Sequence, residues 1–197
     1  MWGWQGLRAI GIGLAFLALA ACGVAPEKRG PAPLSDIRTL QSQIMALGPE
    51  VDPEEAARAA EIAFSYTREL AIQYQITDPP LIHNTKVNMG LKPRGLCWHW
   101  AEDMERRLKA EGFQTLDMHR AIANADNAFR IEHSTAIVSR KGDAYLQGIV
   151  LDPWRLGGTL TFVPVLEDPD YRWDAQQDVL RRKRERQLAR QGLAAQS

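Results

Sequence analysis

Cysteine is nearly missing from this 197-residue chain: there are two, Cys22 and Cys97, beside four histidines. So small a stock excludes a disulfide framework and leaves no cysteine pairs from which to build a zinc site. A surplus of charge is missing too, with 24 Lys+Arg against 24 Asp+Glu. That removes the electrostatic footprint expected of a nucleic-acid-binding protein. Beyond the N-terminus there is no further apolar run of bilayer length, and no internal repeat. What is left is one domain of about 160 residues, enough for a single proper core.

The N-terminus carries one early positive charge, Arg8, followed by "AIGIGLAFLALAAC". This run matches a signal-peptide h-region in length and is short for a membrane span. Its end, "LAAC", resembles the lipobox of bacterial lipoproteins. The resemblance implies a signal peptide over residues 1–21, lipidation of Cys22, and a tether over residues 22–33. No aspartate follows Cys22, so the periplasmic face of a Gram-negative outer membrane is the expected location, with membrane contact through the lipid. Cys97 then becomes the only thiol of the mature chain.

The remaining chain divides into helical and extended stretches. Leu34, Ile37, Leu40, Ile44 and Leu47 recur at helical spacing, with Ser35 as the expected cap and Gly48-Pro49 as the stop. A second helix starts at Asp52 as N-cap, with Pro53 at the first helical position and Glu55 three residues after the cap, and ends before Asp78-Pro79-Pro80. Residues 81–96 lack a period and read as a loop holding His83, Asn84 and Asn88. A third helix runs from about Cys97 to Gly112, with Cys97, Ala101, Met104 and Leu108 on one face. His99, Glu102 and Arg106 fall on the opposite, polar face. Three stretches, "FQTLDMHRAIA", "HSTAIVSR" and "YLQGIVLDPW", then read as strands. The domain is therefore expected over residues 34–170, α+β in class, with N-terminal helices and a cysteine-bearing helix packed on a small antiparallel sheet. Residues 171–197 form a charged tail that reads as a solvated helix or frayed end.

Cys97 heads a helix, where the dipole and free backbone N–H groups favour a thiolate and can receive an oxyanion. A nucleophilic cysteine also needs an imidazole in reach and a third group to orient it. His99 is nearest in sequence but is expected to face solvent. His119 sits mid-strand, and His83 lies in the preceding loop. His133 opens a strand after the irregular "NADNAFRIE", and the next strand ends in Asp152. Two adjacent strands could present these side by side, whereas Asp143 falls in a turn and is expected to serve that turn.

The ordered set "GLCWHWAEDM", "EHSTAIV" and "VLDPW" resembles the transglutaminase-like cysteine proteinase superfamily over about residues 80–155. The resemblance implies a papain-related α+β fold with Cys97 as nucleophile, His133 as base and then acid, and Asp152 as orienter. Half of the oxyanion hole would be the Cys97 N–H, and Asn88, or Asn84 behind it, would supply the other half. Trp154 would shield the triad from water. Ser134-Thr135 stands where many members have an Ala-Trp pair. The Asp-Cys-Ser-Gly of NlpC/P60 peptidases is absent. The implied activity is hydrolysis or transfer at an amide or peptide bond through a thioester, needing no metal or cofactor. The implied partner is a peptide or protein substrate, with cell-wall peptide among the candidates. The alternative is a non-catalytic envelope lipoprotein that uses the same fold for binding.

Overall fold

The computed structural model describes residues 30–194, with side chains to residue 191. Cys22, the expected signal peptide and the part of the expected tether before Gly30 lie outside the described residues. The described part is a mixed α+β fold of five helices and one five-stranded antiparallel sheet.

Helices α1 (Leu34–Met45) and α2 (Pro53–Gln73) pack against each other. Leu40 and Ile44 of α1 are fully buried, as their helical spacing requires. Ser35 is not the cap. Pro33 holds that position, and the Ser35 hydroxyl donates to the neighbouring Asp36 instead. In α2, Asp52 Oδ1 accepts from the N–H groups of Glu54 and Glu55, which satisfies two free donors of the first turn. Ala56, Ala59, Ala60 and Ala63 form its buried stripe, so neighbouring backbones can approach closely.

The stretch 81–96 is not all loop. Pro79-Pro80 sets the entry to a nine-residue helix, α3 (Pro80–Asn88). Proline suits a first helical position because the missing N–H has no intrahelical acceptor there anyway. The helix escapes periodicity because only His83 of its residues is buried.

Helix α4 (Cys97–Lys109) lies across the sheet and buries Cys97, Ala101, Met104 and Leu108. The sheet has the order β4 (Thr161–Pro164), β3 (Ile149–Asp152), β2 (His133–Arg140), β1 (Leu116–Ala123), β5 (Trp173–Ala175). β1 and β2 pair from Leu116↔Arg140 to Ala123↔His133. The third expected strand is shorter than its sequence suggests. Tyr145–Gln147 forms a 3₁₀ turn, and pairing begins only at Ile149. Ala136, Val138, Ile149 and Leu151 face the helices, while Ala121, Ala123, Ile137 and Val150 join Trp173 beneath the other face.

The sheet does not stop at residue 170. β5 adds to the free edge of β1, at Ala121↔Ala175 and Ala123↔Trp173. The segment read as a tail thus begins inside the fold and then enters α5 (Gln176–Ala194), a helix with Val179 buried and a highly charged surface.

Candidate functional site

The turn Arg94-Gly95-Leu96 and the head of α4 hold Cys97 in place. Gly95 adopts φ +123°, and a Cβ there would lie 2.4 Å from His83 Nε2. Only glycine fits so close an approach. His83, buried on α3, donates from Nε2 to the Arg94 carbonyl at 2.8 Å. Trp100 Nε1 donates to the Gly95 carbonyl at 3.0 Å. Arg94 reaches Asp103 at 3.0 Å, and Asp103 also accepts from the Tyr74 hydroxyl and pairs with Arg106.

His99 corrects the surface reading. It is buried, and its Nδ1 accepts from the N–H groups of Gly95 at 3.1 Å and Leu96 at 3.2 Å. In the first turn of α4 both faces are covered, because Tyr74 and the 94–96 turn pack where solvent was expected. Trp98 takes the exposed position instead. Burial, and next the nearby Arg94 charge, lower the His99 pKa, which keeps Nδ1 available as an acceptor. His99→Ala would leave two backbone donors unpaired, at about 1–3 kcal/mol each. Chemical denaturation should show a loss in that range, and His99→Asn, which keeps an acceptor, should lose less.

His133 and Asp152 come together where β2 begins and β3 ends. His133 Nε2 lies 2.6 Å from Asp152 Oδ2, and both residues are 1% exposed. Asp152 also accepts from the backbone N–H groups of Trp154 and Arg155 through Oδ1, and from Arg155 Nε at 3.1 Å. Burial pushes its pKa upward, but the His133 and Arg155 charges and hydrogen bonds outweigh this and hold it below the ordinary value. With Asp152 ionised, Nε2 must carry the proton and donate. His133 Nδ1 is buried without a hydrogen bond, and the Cys97 thiol lies close enough to raise the proton affinity of the ring. The thiol itself lies 3.7 Å from the Glu132 carbonyl, in the residue just before His133.

Burial opposes a charge on His133, but Asp152 and then Cys97 outweigh it and raise its pKa to about 9. A folded pKa above the unfolded value of about 6.5 adds stability that is complete below pH 6.5 and fades as pH rises through about 9. At about 1.4 kcal/mol per pKa unit, the loss is on the order of 3 kcal/mol. Denaturation of wild type against His133→Gln at pH 6 and pH 9.5 should show it, with the variant flatter.

Trp154, Tyr171 and Trp173 surround the imidazole, with ring centroids 4.7, 4.7 and 5.4 Å away. Trp154 donates from Nε1 to Asn84 Oδ1 at 3.0 Å. The hydrogen bond from α3 to the histidine's surroundings thus comes from Asn84; Asn88 is exposed at the far end of the helix. Asp143 serves its turn, accepting from Arg140 at 2.8 and 3.0 Å. His119 stands apart, bonded to Ser139 at 2.8 Å.

Sequence reasoning missed the support behind Asp152. Arg155 links Asp152 to buried Asp168 through two bonds of 3.1 and 2.7 Å, and Asp168 also accepts from Trp173 Nε1 at 2.9 Å. The only sequence signal was the density of Asp, Tyr and Trp in "LEDPDYRWD". Among the described residues, no group of three His, Cys, Asp or Glu could hold a metal ion. Comparison with protein-family models, with curated proteins and with solved structures gives no match.

Proposed function

We propose that this chain is a thiol hydrolase or acyl-transferase of the transglutaminase-like, papain-related kind, acting on an amide or peptide bond. The observation that carries this reading is a buried imidazole with one nitrogen on an ionised Asp152 and the other free beside the Cys97 thiol. The thiol proton passes to His133 Nδ1 before attack, leaving an imidazolium beside a thiolate, and the Cys97 sulfur then adds to the carbonyl carbon. The Cys97 N–H, at the first helical position and so without an intrahelical acceptor, receives the developing oxyanion. The C–N bond then breaks, His133 returns the proton to the leaving nitrogen, and a thioester remains. Water, deprotonated through His133, releases the acid and restores the thiol; an amine in its place gives transfer. Asp152 fixes the ring throughout.

Incubation of the full chain with peptide libraries, trapping the thioester with hydroxylamine, tests this reading. Hydroxamate products that disappear in Cys97→Ala and His133→Ala support it. Peptides bound but never cleaved would favour a binding module on the same fold. The lipobox resemblance adds anchoring through Cys22 to the cell envelope. Cys22→Ser should end palmitate incorporation and free the protein from membranes, and unchanged labelling would remove that part.

A further inference from the structure

A groove of about 660 Å³ opens beside His133, between the start of α3 and the β1–β2 connection. Its apolar wall is made by Leu81, Ile82, Ile131, Trp154 and Tyr171. Leu81, Ile82 and Ile131 are each more than half exposed, so three large aliphatic side chains sit together at the surface at one place. Apart from the Tyr171 phenol, the ionisable residues that line the groove are Arg130, Arg155 and His133, all able to carry positive charge, and no carboxylate lines it.

These cations are not equally committed. Arg155 is spent on Asp152 and Asp168. Arg130 is exposed, gives one donor to the Asp170 carbonyl at 3.0 Å, and lies over the Tyr171 ring at 5.4 Å. Among the described residues it is within ion-pair distance of no carboxylate. A guanidinium has five N–H donors in a planar fork suited to a carboxylate. Ring stacking orients that fork without using its edge.

We infer that this groove is a binding subsite for a peptide segment that presents an aliphatic or aromatic side chain next to a carboxylate, with Arg130 receiving the carboxylate. The assignment deepens the proposed amide chemistry, since the groove ends on His133, and it rests on that reading for its role in a substrate.

The test measures binding, so it does not depend on turnover. Full chain carrying Cys97→Ala is titrated with N-acetyl-Phe-Leu as free acid and as its amide, read by tryptophan fluorescence and by NMR. The acid should bind about tenfold more tightly, the discrimination expected of one charge-assisted pair. Arg130→Gln should remove that preference while leaving the amide's affinity unchanged, and Ile131→Ser should weaken both ligands. Arg130 and Ile131 are exposed, so folding is expected to survive, and melting temperature checks it. Equal binding of acid and amide, or saturation by neither, overturns the assignment. So does a concentration-dependent dimer that Ile131→Ser dissociates, because the groove would then be covered by a second copy. Hydroxamate formation without acid preference would leave the thiol chemistry standing and remove only this subsite; acid-selective binding without hydroxamate would do the reverse.

Discussion

At pH 6, alkylation of Cys97 by iodoacetamide is expected to slow by about a hundredfold on His133→Ala, within the usual range for loss of a positioned acid–base group. With Cys22 replaced by serine, Cys97 is the sole thiol, so mass spectrometry reads it alone. The reagent reaches it through a cleft of about 510 Å³ walled by Trp98, Arg120 and Leu180. Because His133 holds its proton up to about pH 9, an imidazolium is present to stabilise the sulfur anion from pH 6 upward. An ordinary thiol, with pKa about 8.5, gains close to tenfold in rate per pH unit between pH 6 and pH 8. Asp152→Asn should slow the reaction less than His133→Ala, since the ring remains but loses its orienting charge. His119→Ala is the control, because that ring bonds Ser139 on another part of the sheet. A rate in wild type that climbs steadily with pH and ignores His133→Ala would mean an ordinary thiol and remove the nucleophile assignment.

The pairing of His133 with Asp152 was legible because a helix head and two strand ends are local features. A strand that opens after an irregular stretch and one that ends at Asp-Pro place their terminal side chains at the same sheet edge. His99 was misread for a physical reason. Rotation around a helix tells which residues share a face, not whether a neighbouring turn covers the other face. Here Gly95 at positive φ folds the preceding turn back over the helix, and His99 accepts its two N–H groups. Helix α3 was missed because one buried residue in nine leaves no period to read. β5 was missed because three residues are too few to alternate, and its place on the sheet is set by Trp173 packing beneath the distant Ala123. Contacts of that kind join parts of the chain far apart in sequence, and the composition of either part does not reveal them.

Arg155→Met is expected to cost about 3–5 kcal/mol, the usual result of leaving a buried charge without its partner. The Arg155 side chain is only 12% exposed and serves Asp152 at 3.1 Å and Asp168 at 2.7 Å, with its guanidinium 4.7 Å from the Tyr171 ring centroid. Asp152 would retain His133, but Asp168, itself buried, would keep only Trp173 and backbone donors. Burial alone would raise the Asp168 pKa; Arg155 and then Trp173 are what hold it below the ordinary value. A carboxylate with a lowered folded pKa adds stability that is present above the unfolded value, about 3.9, and is lost as pH falls through the folded one. Wild type should accordingly keep most of this contribution at pH 4. In Arg155→Met the carboxyl raised by burial is relieved by protonation, so the variant should lose stability as pH rises from 4 to 7. Its deficit should be smaller at pH 4 than at pH 7. If the cost is an unpaired charge, neutralising the carboxylate should recover it. Arg155→Met with Asp168→Asn should then be more stable than the sum of the single losses implies, by about 2–3 kcal/mol in a double-mutant cycle, the upper range for residues in one network. Losses that add to within about 0.5 kcal/mol would show the two groups to be independent, and Asp152 would then owe its position to His133 and the backbone alone.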